Sequence, residues 1–404
     1  MNIPFSPPYI DDDVIKEVTD SLKSGWITTG PKVAALEKTI ADFVHCPKAI
    51  GVNSWTSGAI LALRWFGIGK GDEVIVPAYT YCATAMSVMD CGATPIMVDI
   101  CDDLTIDIQQ VERAITAKTK AILPVDLAGM PCNYHKLNEI ITKPHIKALF
   151  QPKNKIQEDL GRILLISDSA HSIGAKTEGR NVAELVDIAV LSLHAVKNIT
   201  TAEGGIICLN LPQPFDNEVL QRWFKIMSLN GQTKDAFTKS QAGAWRYDIV
   251  DKGMKINMPD VNAAIALAQM RKYEWLLAER QRVHNRYCAE LKKYDWAIIP
   301  HQDNTANQSS YHLYPLRIKG IGEDERNKII SFMAERNIAT NVHYIPMPML
   351  TLFMKCGYDI TLYPKSLAAF QHEITLPLYP QLSNLEVDYV LENLVLAYQN
   401  VVKA

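Results

Sequence analysis

Short, uninterrupted hydrophobic runs recur through the first half of the chain, and amphipathic segments lie between several of them. Runs that do not alternate with polar residues are typical of strands buried on both faces of a sheet. Because helical patterns separate these runs, the sequence predicts a large domain built on a mostly parallel seven-stranded α/β sheet. The predicted strands are 49–52, 73–76, 95–98, 121–125, 163–166, 188–193 and 205–209.

Two helices are predicted before the first strand. Three aspartates precede apolar residues at helical spacing, so the first helix should begin near Asp11 and end before Gly25. Pro31 is placed to begin the second helix. The residues expected to face the core are Val14, Val18 and Leu22 in the first helix and Val33, Leu36, Ile40 and Phe43 in the second.

The 404 residues are too many for one ordinary core and predict two domains. After Pro259 a helical pattern runs to about Tyr294, followed by a strand at 311–318, a helix from Glu323 and a terminal helix from about Asn384. We therefore predict an N-terminal arm and large domain at residues 1–265, and a small C-terminal α+β domain at 266–404. The polar stretch 143–161 is interpreted as a surface insertion.

Composition excludes several classes of protein. A hydrophobic fraction of 48% with 21% charged residues is typical of soluble globular proteins. The net charge of −3 gives no reason to expect nucleic acid or an anionic membrane as a partner. The eight cysteines form no Cys-x-x-Cys pair, which argues against a metal site and a disulfide framework. With neither a leader pattern nor a membrane-spanning apolar run, the predicted location is cytoplasmic.

An aspartate and a lysine each follow one of the predicted strands. Asp168 comes after the strand at 163–166, and Lys197 comes after the strand at 188–193. Pyridoxal phosphate needs both groups, because a lysine amine forms an imine with its aldehyde while a carboxylate keeps its pyridine nitrogen protonated. The pair therefore predicts a transaminase. Taken singly, Lys197 could be a solvated charge, and Asp168 could cap a helix or pair with a structural arginine.

Other residues suit the same cofactor. The segment 53–58 turns from a strand into a helix, so its amides could hold a phosphate, with Thr56 and Ser57 as candidates and Ser192 as a further hydroxyl. An ordinary Ser/Thr cap without a ligand explains the segment equally well. Tyr81 has a flat face for stacking on a pyridine ring, but could be a core or interface residue. Small residues at Gly204 and Gly205 predict a close backbone approach.

Collinear motifs carry a resemblance to a known family. These motifs occupy 24–31, 71–75, 92–95, 119–122, 168–171 and 376–380. With them the chain resembles the DegT/DnrJ family of sugar-nucleotide aminotransferases, which have the aspartate aminotransferase fold, fold type I of the enzymes that depend on pyridoxal phosphate. It is most similar to the branch that includes the enzyme making UDP-4-amino-4-deoxyarabinose, through its lysine motif and residues 262–267. Four residues depart from the family pattern, namely Trp55, Asp126, Ser169 and Met254.

The resemblance implies roles for particular residues. Lys197 would be the lysine joined to the cofactor, Asp168 would partner the pyridine nitrogen, and His171 would lie near the ring hydroxyl. Tyr81 would stack on the ring, while Thr56, Ser57 and Ser192 would hold the phosphate. The resemblance also implies a homodimer with shared active sites, in which Lys255 or Asn257 reaches the other chain's phosphate.

The implied reaction moves an amino group from glutamate, leaving 2-oxoglutarate, to carbon 4 of a 4-keto, 6-deoxy sugar linked to a nucleotide. The product would serve the synthesis of surface polysaccharide or lipopolysaccharide. Two alternatives stay open, a 3-keto sugar-nucleotide aminotransferase and a regulator that binds pyridoxal phosphate without catalysis. The predicted substrate contacts, each of which could equally be a surface charge or a satisfied histidine, are Thr29, Arg246, Lys255, His312 and His343.

Overall fold

A computed structural model describes residues 1–234, 245–300, 303 and 306–402. Its largest sheet has seven strands in the order β1-β9-β8-β5-β4-β2-β3. The pairings of β9 with β1 and with β8 are antiparallel, and the other pairings are parallel. The strands are β1 (Lys48–Val52), β2 (Glu73–Pro77), β3 (Thr94–Val98), β4 (Thr119–Ile122), β5 (Leu164–Asp168), β8 (Ile188–Ser192) and β9 (Gly205–Leu209).

The sheet confirms all seven predicted strands, with ends shifted by at most three residues. Its strands are almost wholly buried because helices cover both faces, which explains their unbroken hydrophobicity. The helices of this half are α1 (Asp12–Lys23), α2 (Pro31–Val44), α3 (Trp55–Trp65), α4 (Ala83–Asp90), α5 (Ile108–Ala114), α6 (Tyr134–Thr142), α7 (Pro144–Leu149), α8 (Lys155–Leu160) and α9 (Asn217–Met227).

The first helix begins where the aspartates predicted. Asp11 is its N-cap, and the carboxylate accepts a hydrogen bond from the backbone N–H of Val14 at 3.1 Å. The prediction that Leu22 faces the core is wrong, since its side chain is 56% exposed. Val14 and Ser21 are the buried residues, and at 100° per residue Leu22 lies beyond the edge of that face.

A second hydrophobic core lies in the C-terminal part. Strands β10 (Ala297–Ile298), β12 (Tyr314–Ile318) and β13 (Glu373–Leu376) form a three-stranded antiparallel sheet. The long helical pattern after Pro259 is two helices, because the chain turns at Arg271 and Lys272. The helices of this part are α10 (Asp260–Met270), α11 (Tyr273–Leu291), α12 (Glu323–Ala334), α13 (Thr351–Lys355), α14 (Pro364–His372) and α15 (Asn384–Val402).

The two cores meet along α11, where Tyr273 and Leu276 belong to the first core and Val283 to the second. The predicted division at residues 265 and 266 stays a prediction. A small third sheet joins β11 (Asn307–Gln308), β6 (Lys176–Thr177) and β7 (Arg180–Asn181). Within the described ranges, every helix is too short or too polar to cross a bilayer.

The polar stretch 143–161 is more than a surface loop. It contains α7 and α8, and its Ile146, Phe150 and Gln157 are buried. The Gln157 side-chain amide donates a hydrogen bond to the backbone carbonyl of Phe66 at 2.8 Å. Buried amides need such partners, so this bond fixes the segment against the end of α3. Because most residues of this segment are polar, the sequence pattern did not indicate that these few are buried.

Candidate active site

A cavity of about 450 Å³ opens at the carboxyl edge of the large sheet. Its walls come from the start of α3, the segment after β2, the end of β5, the loop between β8 and β9, and the C-terminal part of the chain. This is the edge at which open α/β sheets bind ligands. Its volume is within the usual range for small-molecule sites, about 300–1,000 Å³.

Lys197 lies in the loop between β8 and β9, and its side chain lines the cavity. Its backbone N–H donates to the carbonyl of His194 at 2.9 Å, which shapes the turn. Withdrawal from water disfavours the ammonium form and lowers the pKa of Lys197 to about 8, although the nearby Asp168 carboxylate opposes the shift. The structure therefore holds an amine that is readily neutral inside a pocket, as nucleophilic lysines require.

This lowered pKa predicts selective reactivity at alkaline pH. In the apoprotein, acetylation of Lys197 by acetic anhydride should accelerate as pH rises through about 8, because only the neutral amine attacks. Exposed lysines, with pKa values near about 10.4, should accelerate about two pH units higher. Peptide mass spectrometry after brief labelling gives both profiles from one sample. A Lys197 profile that overlaps those of exposed lysines would contradict the shift.

Asp168 ends β5 and faces the same cavity, with 4% of its surface exposed. The Thr84 hydroxyl donates to its Oδ2 at 2.8 Å, and the backbone N–H of Ala170 donates to its Oδ1 at 3.2 Å. Burial raises the pKa of Asp168 to about 7, against these hydrogen bonds and the attraction of Lys197. Two donors leave part of the carboxylate's accepting capacity for a cationic ligand group.

His171 is buried beside this carboxylate. Its Nδ1 accepts a hydrogen bond from the backbone N–H of Ala128 at 3.2 Å, and its Nε2 lies 3.3 Å from the phenol oxygen of Tyr344. Because Nδ1 is an acceptor, the proton of the neutral ring belongs on Nε2. Burial, reinforced by the charge of Lys197, holds the pKa of His171 well below its usual value, so the ring is neutral.

His312, a predicted substrate contact, is placed behind His171 and away from the cavity wall. The two ring centroids are 4.2 Å apart, and His312 Nδ1 lies 2.9 Å from the side-chain oxygen of Asn198. Asn198 also donates from its amide nitrogen to the carbonyl of Ser310 at 2.7 Å, which fixes the amide orientation. His312 therefore supports His171, and it touches no open part of the pocket.

The predicted phosphate turn forms the N-terminus of α3. Ser54 caps this helix, and its side chain accepts from the backbone N–H of Ser57 at 3.1 Å. Ser54, Thr56 and Ser192 line the cavity, whereas the Ser57 hydroxyl lies 2.9 Å from Ser54 Oγ and is absent from the lining. A helix N-terminus that faces a cavity favours an anion. The capping and the ligand-binding interpretations are thus compatible.

Close packing behind this turn explains the glycines after Lys197. A Cβ atom on Gly205 would lie 2.6 Å from the backbone carbon of Ser54 and 2.7 Å from the nitrogen of Trp55. A Cβ on Gly204 would lie 2.0 Å from Thr201 Oγ1. The start of α3 therefore rests directly on β9, and this contact sets its position at the cavity.

Gly205→Ala should consequently destabilise the fold. The added methyl meets backbone atoms that cannot rotate away, so we expect the free energy of unfolding to fall by about 1–3 kcal/mol. Gly69→Ala is the matched control, because its nearest neighbour would be 3.8 Å away and only a small change is expected. Chemical denaturation of both variants measures the difference. Equal midpoints would contradict the close approach.

Three predicted residues form a cluster outside this cavity lining. The Asn257 amide donates to Thr29 Oγ1 at 2.6 Å, the Thr29 hydroxyl donates to the carbonyl of Met258 at 2.6 Å, and Lys255 donates to Asn257 Oδ1. Lys255 is exposed. Arg246 is also exposed and is not in the lining. The structure thus brings together Lys197, Asp168, His171, Tyr81, Thr56, Ser192 and His343, and places the other predicted residues elsewhere.

Among the cavity-wall residues that sequence reasoning missed, three hold other parts of the site. Thr84 holds Asp168, Ser54 caps α3, and Tyr344 contacts His171. Thr84 comes three residues after Tyr81, at the start of α4, so its closeness to Tyr81 in the sequence was a usable signal. Ser54 carries the ordinary cap signature. Tyr344 had no local signal, because only tertiary packing brings the C-terminal part to the pocket.

The residues present fit pyridoxal phosphate. Asp168 offers a buried carboxylate for a cationic ring nitrogen, and Lys197 offers a readily neutral amine in the same cavity. The N-terminus of α3 and Ser192 offer donors for a phosphate. Trp55, also in the lining, has a buried indole N–H without a hydrogen-bond partner among the described residues.

Comparison with known proteins agrees with this chemistry. Residues 8–395 match the model of the DegT/DnrJ/EryC1/StrS aminotransferase family. The spore coat polysaccharide biosynthesis protein SpsC of Bacillus subtilis (strain 168) is 33% identical over 397 residues, which cover 96% of this chain and 95% of SpsC.

Solved structures agree as well. The putative sugar aminotransferase Spr1654 of Streptococcus pneumoniae in its PMP form is 43% identical, with a TM-score of 0.95 over 99% of this chain and 100% of that one. Its PLP form is 41% identical, with a TM-score of 0.94 over 100% of both chains. Helicobacter pylori PseC, an aminotransferase involved in the biosynthesis of pseudoaminic acid, shares the fold at 24% identity, with a TM-score of 0.86 over 99% of this chain and 100% of that one.

Proposed function

The chain belongs to the DegT/DnrJ/EryC1/StrS aminotransferase family, and from this premise we propose that it transfers an amino group from glutamate to carbon 4 of a nucleotide-linked 4-keto, 6-deoxy sugar. That it is a pyridoxal phosphate-dependent aminotransferase follows from the family and from the PLP form of Spr1654. The donor, the nucleotide and the carbon atom are the parts that we propose. The name of SpsC supports a product used in polysaccharide synthesis.

One observation carries the catalytic part of the proposal. Lys197 and Asp168, whose pKa values lie close to neutrality, line one cavity together with the capped N-terminus of α3. A non-catalytic binding protein has no need of an amine that is neutral near physiological pH. Perturbed pKa values of this kind favour catalysis.

Bound pyridoxal phosphate supplies an aldehyde that captures amino groups and a ring that accepts electrons from the adjacent carbon. Lys197 would hold its aldehyde end and Asp168 its ring nitrogen. Thr56, Ser192 and the α3 amides would hold its phosphate. Tyr81, whose side chain is 60% exposed, would cover one face of the ring.

Different residues are proposed for proton transfer, for charge balance and for positioning. Lys197 Nζ, once neutral, would take a proton from the α-carbon of the donor. It would later deliver a proton to carbon 4 of the sugar, the carbon that bears the new amino group. Asp168 stays ionised beside a cationic partner, which reverses the effect of burial on its pKa. Thr84 fixes the rotamer of Asp168, and His171 with Tyr344 closes the pocket behind it.

Substrate recognition is proposed to involve two regions. His343 lines the cavity and would contact the sugar. The cluster of Thr29, Lys255 and Asn257 would act across a homodimer interface, where Lys255 supplies a cation for a phosphate of the partner's ligand. Arg246 is proposed for the nucleotide diphosphate. The relatives give no support to the narrower UDP-4-amino-4-deoxyarabinose branch, so the sugar itself is left to experiment.

Two-stage assays test the proposal. Glutamate added to the purified holoprotein should convert the cofactor absorption from the PLP to the PMP form, and a 4-keto nucleotide sugar should then restore it. NMR of the product would show nitrogen on carbon 4. Restoration by a 3-keto sugar alone would establish the alternative position, and no spectral response to glutamate would overturn the proposed donor.

A further inference from the structure

His343 is held by side chains that the proposed chemistry does not use. Its Nδ1 lies 2.8 Å from the Thr375 hydroxyl, and Phe5 stacks on its ring with centroids 5.5 Å apart and planes at 21°. His343 also lines the cavity, and among the described residues its Nε2 has no hydrogen-bond partner. Nε2 is therefore the ring nitrogen that remains for a ligand.

Thr375 connects this ring to a buried carboxylate. Its hydroxyl donates to Glu373 Oε1, while Glu373 Oε2 accepts the backbone N–H of His343 at 2.9 Å. Glu373 and Thr375 are both 0% exposed on β13. Glu373, Thr375 and His343 thus form a closed hydrogen-bonded loop, which we call the glutamate relay. Water has no access to its central hydroxyl.

The relay has only one hydroxyl proton to place. When Glu373 is ionised, the Thr375 proton points to it, so Thr375 Oγ1 must accept from His343 Nδ1–H. The neutral ring then has its lone pair on Nε2. A group at position 373 that donates to Thr375 would force the opposite arrangement. The Thr375 hydroxyl would then donate a hydrogen bond to His343 Nδ1, and the single proton of the neutral ring would be on Nε2.

We propose that Glu373 and Thr375 are positioning residues that set the tautomer of His343, so that ionised Glu373 presents Nε2 to the cavity as an acceptor for a hydroxyl of the sugar. The sugar contact rests on the proposed function, whereas the tautomer rests on the relay alone. An acceptor at this wall discriminates between sugars that carry a hydroxyl donor at the matching position and sugars that lack one.

The charges around Glu373 define the conditions of a test. Burial raises the pKa of Glu373 to about 8, against the hydrogen bonds from Thr375 and the His343 backbone and the charges of Arg326 on α12 and Arg317 on β12. The phenols of Tyr79 and Tyr344 and the ring of His343 complete its titratable surroundings. Burial and the charge of Lys197 lower the pKa of His343 to about 3, so its ring is neutral and only its tautomer is in question.

Glu373→Gln is the informative variant. The backbone N–H of His343 requires an acceptor, so the side-chain oxygen of the glutamine takes that position. The glutamine NH₂ group then faces Thr375 as a donor. We therefore expect the tautomer to invert. Nitrogen-15 NMR of histidine-labelled holoenzyme reports it, with His343 assigned by the signals that vanish in His343→Gln. At pH about 9 wild type should carry the proton on Nδ1 and Glu373→Gln on Nε2.

Thr375 supplies the matched pair. Thr375→Ser keeps the hydroxyl and should keep the wild-type tautomer, while Thr375→Val removes the relay and should give a mixture. Circular dichroism and the cofactor absorption verify that each variant is folded. Wild type with its proton on Nε2 at this pH, or the same tautomer in wild type and Glu373→Gln, would overturn the relay.

Kinetics separates the relay from the sugar contact. At pH about 9, where wild-type Glu373 is ionised, Glu373→Gln should raise the KM for the sugar about 3- to 10-fold, the size of one hydrogen bond, and should change the KM for glutamate less. Equal changes in both KM values would refute the sugar contact while leaving the tautomer result intact. If the proposed sugar chemistry itself fails in wild type, the NMR result still decides the relay.

Discussion

Replacing Lys197 with alanine should reduce amino transfer by about 10⁴-fold or more, because the variant loses both its nucleophile and its proton carrier. Both roles need an amine that is neutral near physiological pH, and Lys197 is the cavity lysine whose pKa falls to about 8. Arginine at the same position keeps a cation but cannot be neutral in proteins, so Lys197→Arg should be equally inactive. Steady-state transfer from glutamate measures the rate.

Covalent attachment of the cofactor is a second, independent test of the role of Lys197. After borohydride reduction of the wild-type holoprotein, mass spectrometry should find the cofactor mass on the peptide that contains Lys197, and Lys197→Ala should lose it. Lys147→Ala, at an exposed lysine on α7, should behave as wild type. Undiminished transfer by Lys197→Ala would refute the assignment of the catalytic amine.

Replacing Asp168 with asparagine should lower the transfer rate by about 10²- to 10³-fold, the typical cost of losing one preorganised electrostatic partner. Asparagine matches the shape of aspartate and keeps an acceptor for Thr84, but it cannot balance a cationic ring nitrogen. Spectral titration with glutamate, followed by single-turnover rates, measures the defect. The cofactor absorption should also shift, because the ring would lose its proton.

Asp187→Asn is the matched control for this variant. Asp187 is another buried carboxylate, immediately before β8, but it pairs with Arg162 at 2.7 Å and lies away from the cavity lining. Its replacement should lower the free energy of unfolding by about 3–5 kcal/mol while leaving the cofactor absorption unchanged. A loss of transfer as large in the control as in Asp168→Asn would indicate general destabilisation in place of a catalytic defect.

The fold was largely predictable because hydrophobic runs mark strands directly. All seven strands of the large sheet were found from these runs, and Asp11 and Pro31 marked the beginnings of helices. Where the prediction failed, packing had overridden local pattern. Leu22 continues a helical stripe yet is exposed, and the polar stretch 143–161 is anchored through Gln157.

The site was predictable where the chain places chemistry at strand ends. Asp168 ends one strand and Lys197 follows its neighbour, so the sheet itself brings them to one edge. The histidines were harder, because His171, His312 and His343 look alike in sequence. Their positions separate their roles, because His171 and His343 line the cavity whereas His312 lies behind His171. The part of the wall formed by Tyr344 depended on tertiary packing alone.

The walls of the cavity are contributed from opposite ends of the sequence, since Ser54 and Tyr344 face the same space. Contacts between such distant segments form slowly, so a nascent chain on the ribosome would complete its sheet well before it completed this wall. We expect vitamin loading to be the last event of maturation. In refolding experiments, cofactor absorption should therefore lag behind the recovery of secondary structure by circular dichroism.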